Sequence, residues 1–206
     1  MFSPVSWSVL AFSALLAHGG GAQSAPASPD PKAACESGDG LSCFEVALAY
    51  QDAGTDPARA VLYYDKACAL GSSGGCIAAS NMYAGGQGVP ADAGRAFAAA
   101  RRGCDAVPRP SAARDYPRVL SCYNLGLKYE KGTGVPADPA AAAKAYERSF
   151  SAAAAFCQEG DAESCYVAGM SHALGRGTPK DTRRARAVFE KACAAGQKAS
   201  CEAIRP

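Results

Sequence analysis

The sequence predicts an all-α protein, a solenoid of helix pairs clamped together by disulfides. Three observations predict it. Four of five cysteine pairs, Cys35/Cys43, Cys68/Cys76, Cys157/Cys165 and Cys193/Cys201, enclose seven residues each, with Cys104/Cys122 as the exception. The enclosed residues agree as well, since CESGDGLSC, CALGSSGGC, CQEGDAESC and CAAGQKASC all follow C-x-x-G-x-x-x-[S/G]-C. The pairs recur after 33 residues from Cys43 to Cys76 and after 36 from Cys165 to Cys201, a period that two helices fill. One helix pair cannot bury its apolar face alone, so such units stack.

Along the chain, the first element is a leader. Val5 to Ala17 (VSWSVLAFSALLA) is a 13-residue apolar core, the small-residue run GGGAQSA follows it, and the first charged side chain is Asp30. Residues 1–22 therefore read as a secretory signal peptide, with Gly20 and Ala22 as the −3 and −1 residues of the cleavage site. Residues 23–33 read as a flexible linker. A membrane-spanning helix needs about 20 apolar residues, so no membrane insertion is expected once the leader is removed. An even number of cysteines behind an export signal favours oxidised pairs and a periplasmic or secreted location. The formal net charge is +2, and no run of Lys or Arg interleaved with aromatics exists, so nucleic acid is not an expected partner.

The repeat domain covers 34–206 and holds about four helix pairs plus a terminal helix. Helix B of each unit runs from an Asp to a Cys twelve residues on: Asp56 to Cys68, Asp92 to Cys104 and Asp181 to Cys193. Asp supplies the N-cap, Pro57 suits the first helical position, and Lys66, Arg102 and Lys191 sit in the last turn. Helix A follows the second cysteine of each pair. Tyr50, Tyr83, Tyr129 and His172 each stand seven residues beyond Cys43, Cys76, Cys122 and Cys165, two turns on and so on the same face. GGQGVPAD and KGTGVPAD end two of these helices, with Pro90 and Pro136 blocking continuation. Two irregularities interrupt the pattern. A segment near 105–120, carrying Pro108, Pro110 and Pro117, reads as an inserted exposed loop. In the third helix B, Phe150 holds the expected cysteine position and Cys157 follows seven residues later, as if two turns had been added.

The end of one helix B and the start of the next helix A are joined by a short Gly turn, which favours nearest-neighbour disulfides. Each such loop contributes roughly 2.5 kcal/mol by the chain-entropy estimate. Metal binding is disfavoured because the spacing lacks the close C-x₂₋₄-C knuckle and a histidine pair. A dithiol redox role is disfavoured because no C-x-x-C occurs.

The combination YxxGxGVPxD, a helix ending in KAC and then GxxxSC resembles Sel1-like repeats, and within them the cysteine-rich subgroup typified by the Helicobacter cysteine-rich proteins. The resemblance covers roughly Ala33 to Arg205. It implies a TPR-like, right-handed α/α superhelix with disulfides between successive repeats, and a role in binding or assembling other proteins. The first repeat (YQDAGTDPARA) lacks the GxGV turn, and the fourth has LGRGTPKD in its place. The subgroup also implies an alternative, a weak β-lactamase or penicillin-binding hydrolase. Against it, S-x-x-K is absent, Lys131-Gly132-Thr133-Gly134 sits in the repeat's own turn, and the only histidines are His18, in the leader, and His172. No catalytic residue, metal ligand or cofactor is assigned.

The expected function is that of an exported monomer binding a protein or peptide partner through its concave face, made mostly by helix A. Glu45, Asn81, Asn124, Lys128 and Ser171 are the candidate contact residues, being the polar occupants of variable positions on helix A. Arg59/Lys66, Arg95/Arg102 and Arg184/Lys191 recur seven apart on helix B, either as a basic stripe or as cover for the outer face.

Overall fold

The structure is a computed structural model that describes residues 30–107 and 115–205. The leader and cleavage site expected from the sequence, and Pro108 and Pro110 of the expected insertion, lie outside these residues. The described residues form ten helices and no strand: α1 (Pro31–Glu36), α2 (Gly40–Ala53), α3 (Pro57–Ala69), α4 (Ser73–Gly85), α5 (Ala93–Asp105), α6 (Tyr116–Lys131), α7 (Pro139–Gln158), α8 (Ala162–Leu174), α9 (Thr182–Ala194) and α10 (Lys198–Ala203). The A helices are α2, α4, α6 and α8, the B helices are α3, α5, α7 and α9, and α1 and α10 are short terminal pieces. Each helix packs on its neighbours in sequence, and α2, α4, α6 and α8 also touch in series. That nearest-neighbour pattern is an α/α solenoid.

The polar punctuation of the sequence fixes the boundaries. Asp56, Asp92, Asp138 and Asp181 cap the B helices, their carboxylates accepting first-turn backbone N–H groups. Asp39, Ser72, Asp115 and Asp161 do the same for the A helices. Each A helix ends on a glycine in the left-handed region, Gly54, Gly86, Gly132 and Gly175. Two boundaries differ from the sequence expectation. Helix α1 begins at Pro31, inside the stretch expected as linker, because Asp30 caps it. The insertion is shorter than expected, because Asp115 caps α6 and Pro117 falls in the first turn, where no backbone N–H is needed.

Five disulfides join Cys35–Cys43, Cys68–Cys76, Cys104–Cys122, Cys157–Cys165 and Cys193–Cys201, with Cα atoms 4.4 to 4.7 Å apart. The three central bridges tie the ends of α3, α5 and α7 to the starts of the A helices that follow, and the outer two tie α1 to α2 and α9 to α10. Lengthened α7, at 20 residues, carries Cys157 two turns beyond Phe150 and still delivers it to Cys165.

Between the members of a pair, a small residue on helix A meets a large ring on helix B. A Cβ added to Gly126 would lie 2.5 Å from the Tyr146 ring, and one added to Gly169 would lie 2.5 Å from the Phe189 ring. Between repeats, basic residues two before the cysteine position act as clamps. Arg148 donates to the Cys104 carbonyl at 2.7 Å and pairs with Asp105 at 2.8 Å, while Lys191 donates to the Cys157 carbonyl at 2.5 Å. These side chains reach the carbonyl end of the preceding B helix, where cations are favoured. The recurrent Arg and Lys of helix B are therefore not one stripe. Arg59 and Arg184 pair with their own N-caps, Asp56 and Asp181, and Arg95 and Arg102 reach Asp65 of the preceding repeat.

The second glycine of each GxG turn lies on the preceding B helix. Gly88 rests against the backbone of Pro57, Gly134 against Ala93 and Gly177 against Tyr146. The first two contacts fall at the start of α3 and α5, but the third falls two turns into α7. The seven added residues thus leave the first two turns of α7 beyond the reach of the fourth repeat.

Candidate functional site

Stacked helical repeats present extended faces on which binding surfaces form. On the A-helix side, α6 and α8 present a cavity of about 170 Å³ lined by Tyr116, Leu120, Tyr123, Tyr166, Val167 and Met170. Tyr116, Leu120 and Tyr123 stand at i, i+4 and i+7, so one face of α6 supplies half the lining. Tyr166 and Met170, four apart on α8, face them. Burial pushes the Tyr116 hydroxyl up to about 12, and the carboxylates of Glu163 and Asp161 add to the shift.

The sequence-predicted contact residues divide. Glu45 and Asn81 are exposed, and Asn124 is half-buried with its amide 3.5 Å from that of Asn81 across the α4–α6 boundary. Lys128 and Ser171 are not open surface. Lys128 is only 9% exposed, and burial holds its ammonium below the usual lysine value. Ser171 is 1% exposed, on the side of α8 turned into the repeat. Both are turned inward, beside the Tyr129 and His172 positions that follow them. The aromatic lining, by contrast, was missed from the sequence. The i, i+4, i+7 run of Tyr116, Leu120 and Tyr123 was the available signal, hidden by reading residues up to 120 as loop.

The register shift at α7 makes a second recess, a notch of about 390 Å³ bordered by Pro139, Ala142, Ala143, Leu174 and Arg176. Arg176 bridges it, donating to the Tyr123 hydroxyl at 2.7 Å and pairing with Glu130 at 3.0 Å. Tyr146 donates to the same carboxylate, and this bond is the main reason Glu130 lies below the usual carboxylate range. Arg176 also stacks over the rings of Tyr123 and Tyr146. The notch is thus closed by an internally neutralised cluster.

The residues that could have suggested hydrolysis have packing roles. His172 is 8% exposed and meets Phe150 edge to face at 5.1 Å, its side chain filling the slot that Tyr fills in other repeats. Gly132 of the Lys131–Gly134 run caps α6, and Gly134 rests on α5. Among the described residues, no group of three His, Cys, Asp or Glu is placed to hold a metal ion. Among the same residues, no helix is long and apolar enough to cross a membrane.

Comparison with known proteins agrees with this architecture. The sequence model of the Sel1 repeat matches residues 40–72, 75–104, 119–151 and 162–197. No curated protein matches. Among solved structures, a Sel1 repeat protein from Oxalobacter formigenes is 21% identical with a TM-score of 0.60, the match covering 84% of this chain and 64% of that one. A protective antigen of uropathogenic Escherichia coli strains displaying an SLR fold is 21% identical with a TM-score of 0.56, covering 84% of this chain and 34% of that one. Cysteine rich protein B of Helicobacter pylori is 27% identical with a TM-score of 0.43, covering 71% and 93%. The chain therefore spans less than two thirds of the length of the first two.

Proposed function

The chain belongs to the Sel1 repeat family, and from that premise we propose that it is an exported, monomeric scaffold that binds a protein or peptide partner through the face made by its A helices. The observation that carries this reading is the aromatic cavity between α6 and α8, with the Asn81–Asn124 amide pair one helix over. Interface cores are enriched in Tyr and Met, and amide pairs supply the polar contacts that set register. The five disulfides support export, since structural bridges of this density belong to oxidising compartments. Glu45 extends the same face into the first repeat.

The test is capture of partners from envelope or secreted fractions by the oxidised protein, compared with Tyr166→Ala and Asn124→Ala. Partner recovery is expected to fall by about tenfold or more in these variants, the loss typical of an interface anchor. It should be unchanged in Leu62→Ser, which alters an exposed leucine of helix B. Equal recovery from all three, with helicity intact by circular dichroism, would reject the A-helix face.

A further inference from the structure

Resting on that proposed binding face, we infer that the cavity between α6 and α8 receives a basic side chain, lysine or arginine, projecting from the partner. Its volume of about 170 Å³ is below the roughly 300–1,000 Å³ of pockets for drug-sized ligands. It has room for one long side chain.

The lining decides which kind. Three tyrosine rings, Tyr116, Tyr123 and Tyr166, surround it, and the face of an aromatic ring carries negative potential that attracts a cation. Leu120, Val167 and Met170 supply the apolar wall against which an aliphatic stem packs while its charged head stays near water.

A carboxylate waits beside the rings. Glu163, exposed in the first turn of α8, stands one turn before Tyr166 and Val167 on the stripe that lines the cavity, and accepts a hydrogen bond from Gln197 Nε2 at 3.2 Å. The donor is neutral, and among the described residues Glu163 makes no ion pair. That bond holds the carboxylate while its charge remains uncompensated. Asp161, the α8 N-cap, adds a second negative charge near Tyr116. Arg176 already lies over the Tyr123 ring, 5.7 Å from its centroid, and pairs with Glu130 at 3.0 Å, so Tyr116 and Tyr166 are the rings left for an incoming cation. An apolar partner side chain would fill the cavity but leave this held carboxylate unused.

The test is an NMR titration of the oxidised protein with Nα-acetyl-lysine amide and with Nα-acetyl-norleucine amide, which shares the stem and lacks the charge. The lysine probe is expected to shift the Met170 methyl and the rings of Tyr116, Tyr123 and Tyr166. Its Kd should be about three- to tenfold below that of norleucine, the combined effect of a cation–π contact and a partly exposed ion pair. Glu163→Gln, which keeps an acceptor for Gln197 Nε2 but removes the charge, should bring the two probes within twofold of each other. Equal affinities in the unaltered protein, or a lysine preference that survives Glu163→Gln, would overturn the assignment. No response to either probe, alongside partner capture abolished by Tyr166→Ala, would also overturn it while leaving the A-helix face standing.

Discussion

Reduction of the five disulfides is expected to unfold most of the chain at physiological temperature, with loss of the larger part of its helical circular dichroism. The reason is a comparison of magnitudes. Each eight-residue loop contributes about 2.5 kcal/mol by the chain-entropy estimate, and the Cys104–Cys122 loop, at sequence separation 18, contributes about 3 kcal/mol. Together the five exceed about 10 kcal/mol, within the roughly 5–15 kcal/mol of total stability that domains of this kind possess. The remaining adhesion is modest because the core is built largely of alanine. Ala47, Ala60, Ala79, Ala96 and Ala99 are buried in the N-terminal cluster beside only four larger side chains, Val61, Tyr64, Met82 and Tyr83. A small methyl buries little apolar area, so each inter-helix contact stabilises less than a leucine-rich equivalent. A single bridge can be tested as well. Cys104→Ala with Cys122→Ala should lower the thermal midpoint by about 6–12 °C, since 1 kcal/mol corresponds to about 2–4 °C at this chain length. A midpoint insensitive to reductant would show that packing, not the bridges, holds the repeats.

The second large effect is expected at Gly134. Its φ of +76° is strained for any L side chain, and an added Cβ would overlap the backbone carbonyl of Ala93, which the helix α5 holds in place. Gly134→Ala should therefore cost more than about 3 kcal/mol, strain and overlap acting together. Gly94→Ala, one residue along the same contact, makes the opposite prediction. Gly94 lies inside α5 with only the Asp92 carboxylate near its Cβ direction, at 3.4 Å, so Ala there should be neutral or stabilising by up to about 1 kcal/mol. Denaturant titration of the two variants separates them. Equal destabilisation would mean that the GxG turn does not dock as described.

Much of the fold was legible because its determinants are local. The Asp caps, the C-x-x-G turns and the constant cysteine spacing each act within about ten residues of sequence, so their phasing located the helix boundaries and the disulfide pairs. Even the seven added residues of α7 could be read, since whole turns were needed to return Cys157 to its face. Less was legible wherever two distant elements meet. Nothing in the sequence near Gly126 announces that Tyr146 lies across it, nor that Arg148 would reach back to the Cys104 carbonyl. Lys128 and Ser171 look like surface residues by type, and only the packed structure shows them turned inward. Tyr116, Leu120 and Tyr123 form a helical stripe, but Pro108, Pro110 and Pro117 beside it give the segment the composition of a loop. A proline in the first turn of a helix is compatible with it, and that exception hid the cavity.

The central claim is that each bridge joins helices adjacent in sequence, clamping α3, α5 and α7 to the A helices that follow and the terminal α1 and α10 to α2 and α9. Peptide mapping by mass spectrometry of the non-reduced protein, taken from the compartment where it resides, tests this directly. The predicted result is five cross-linked peptide pairs, Cys35–Cys43, Cys68–Cys76, Cys104–Cys122, Cys157–Cys165 and Cys193–Cys201, with no thiol open to alkylation. Free thiols at these positions, or bridges that skip a repeat, would contradict it.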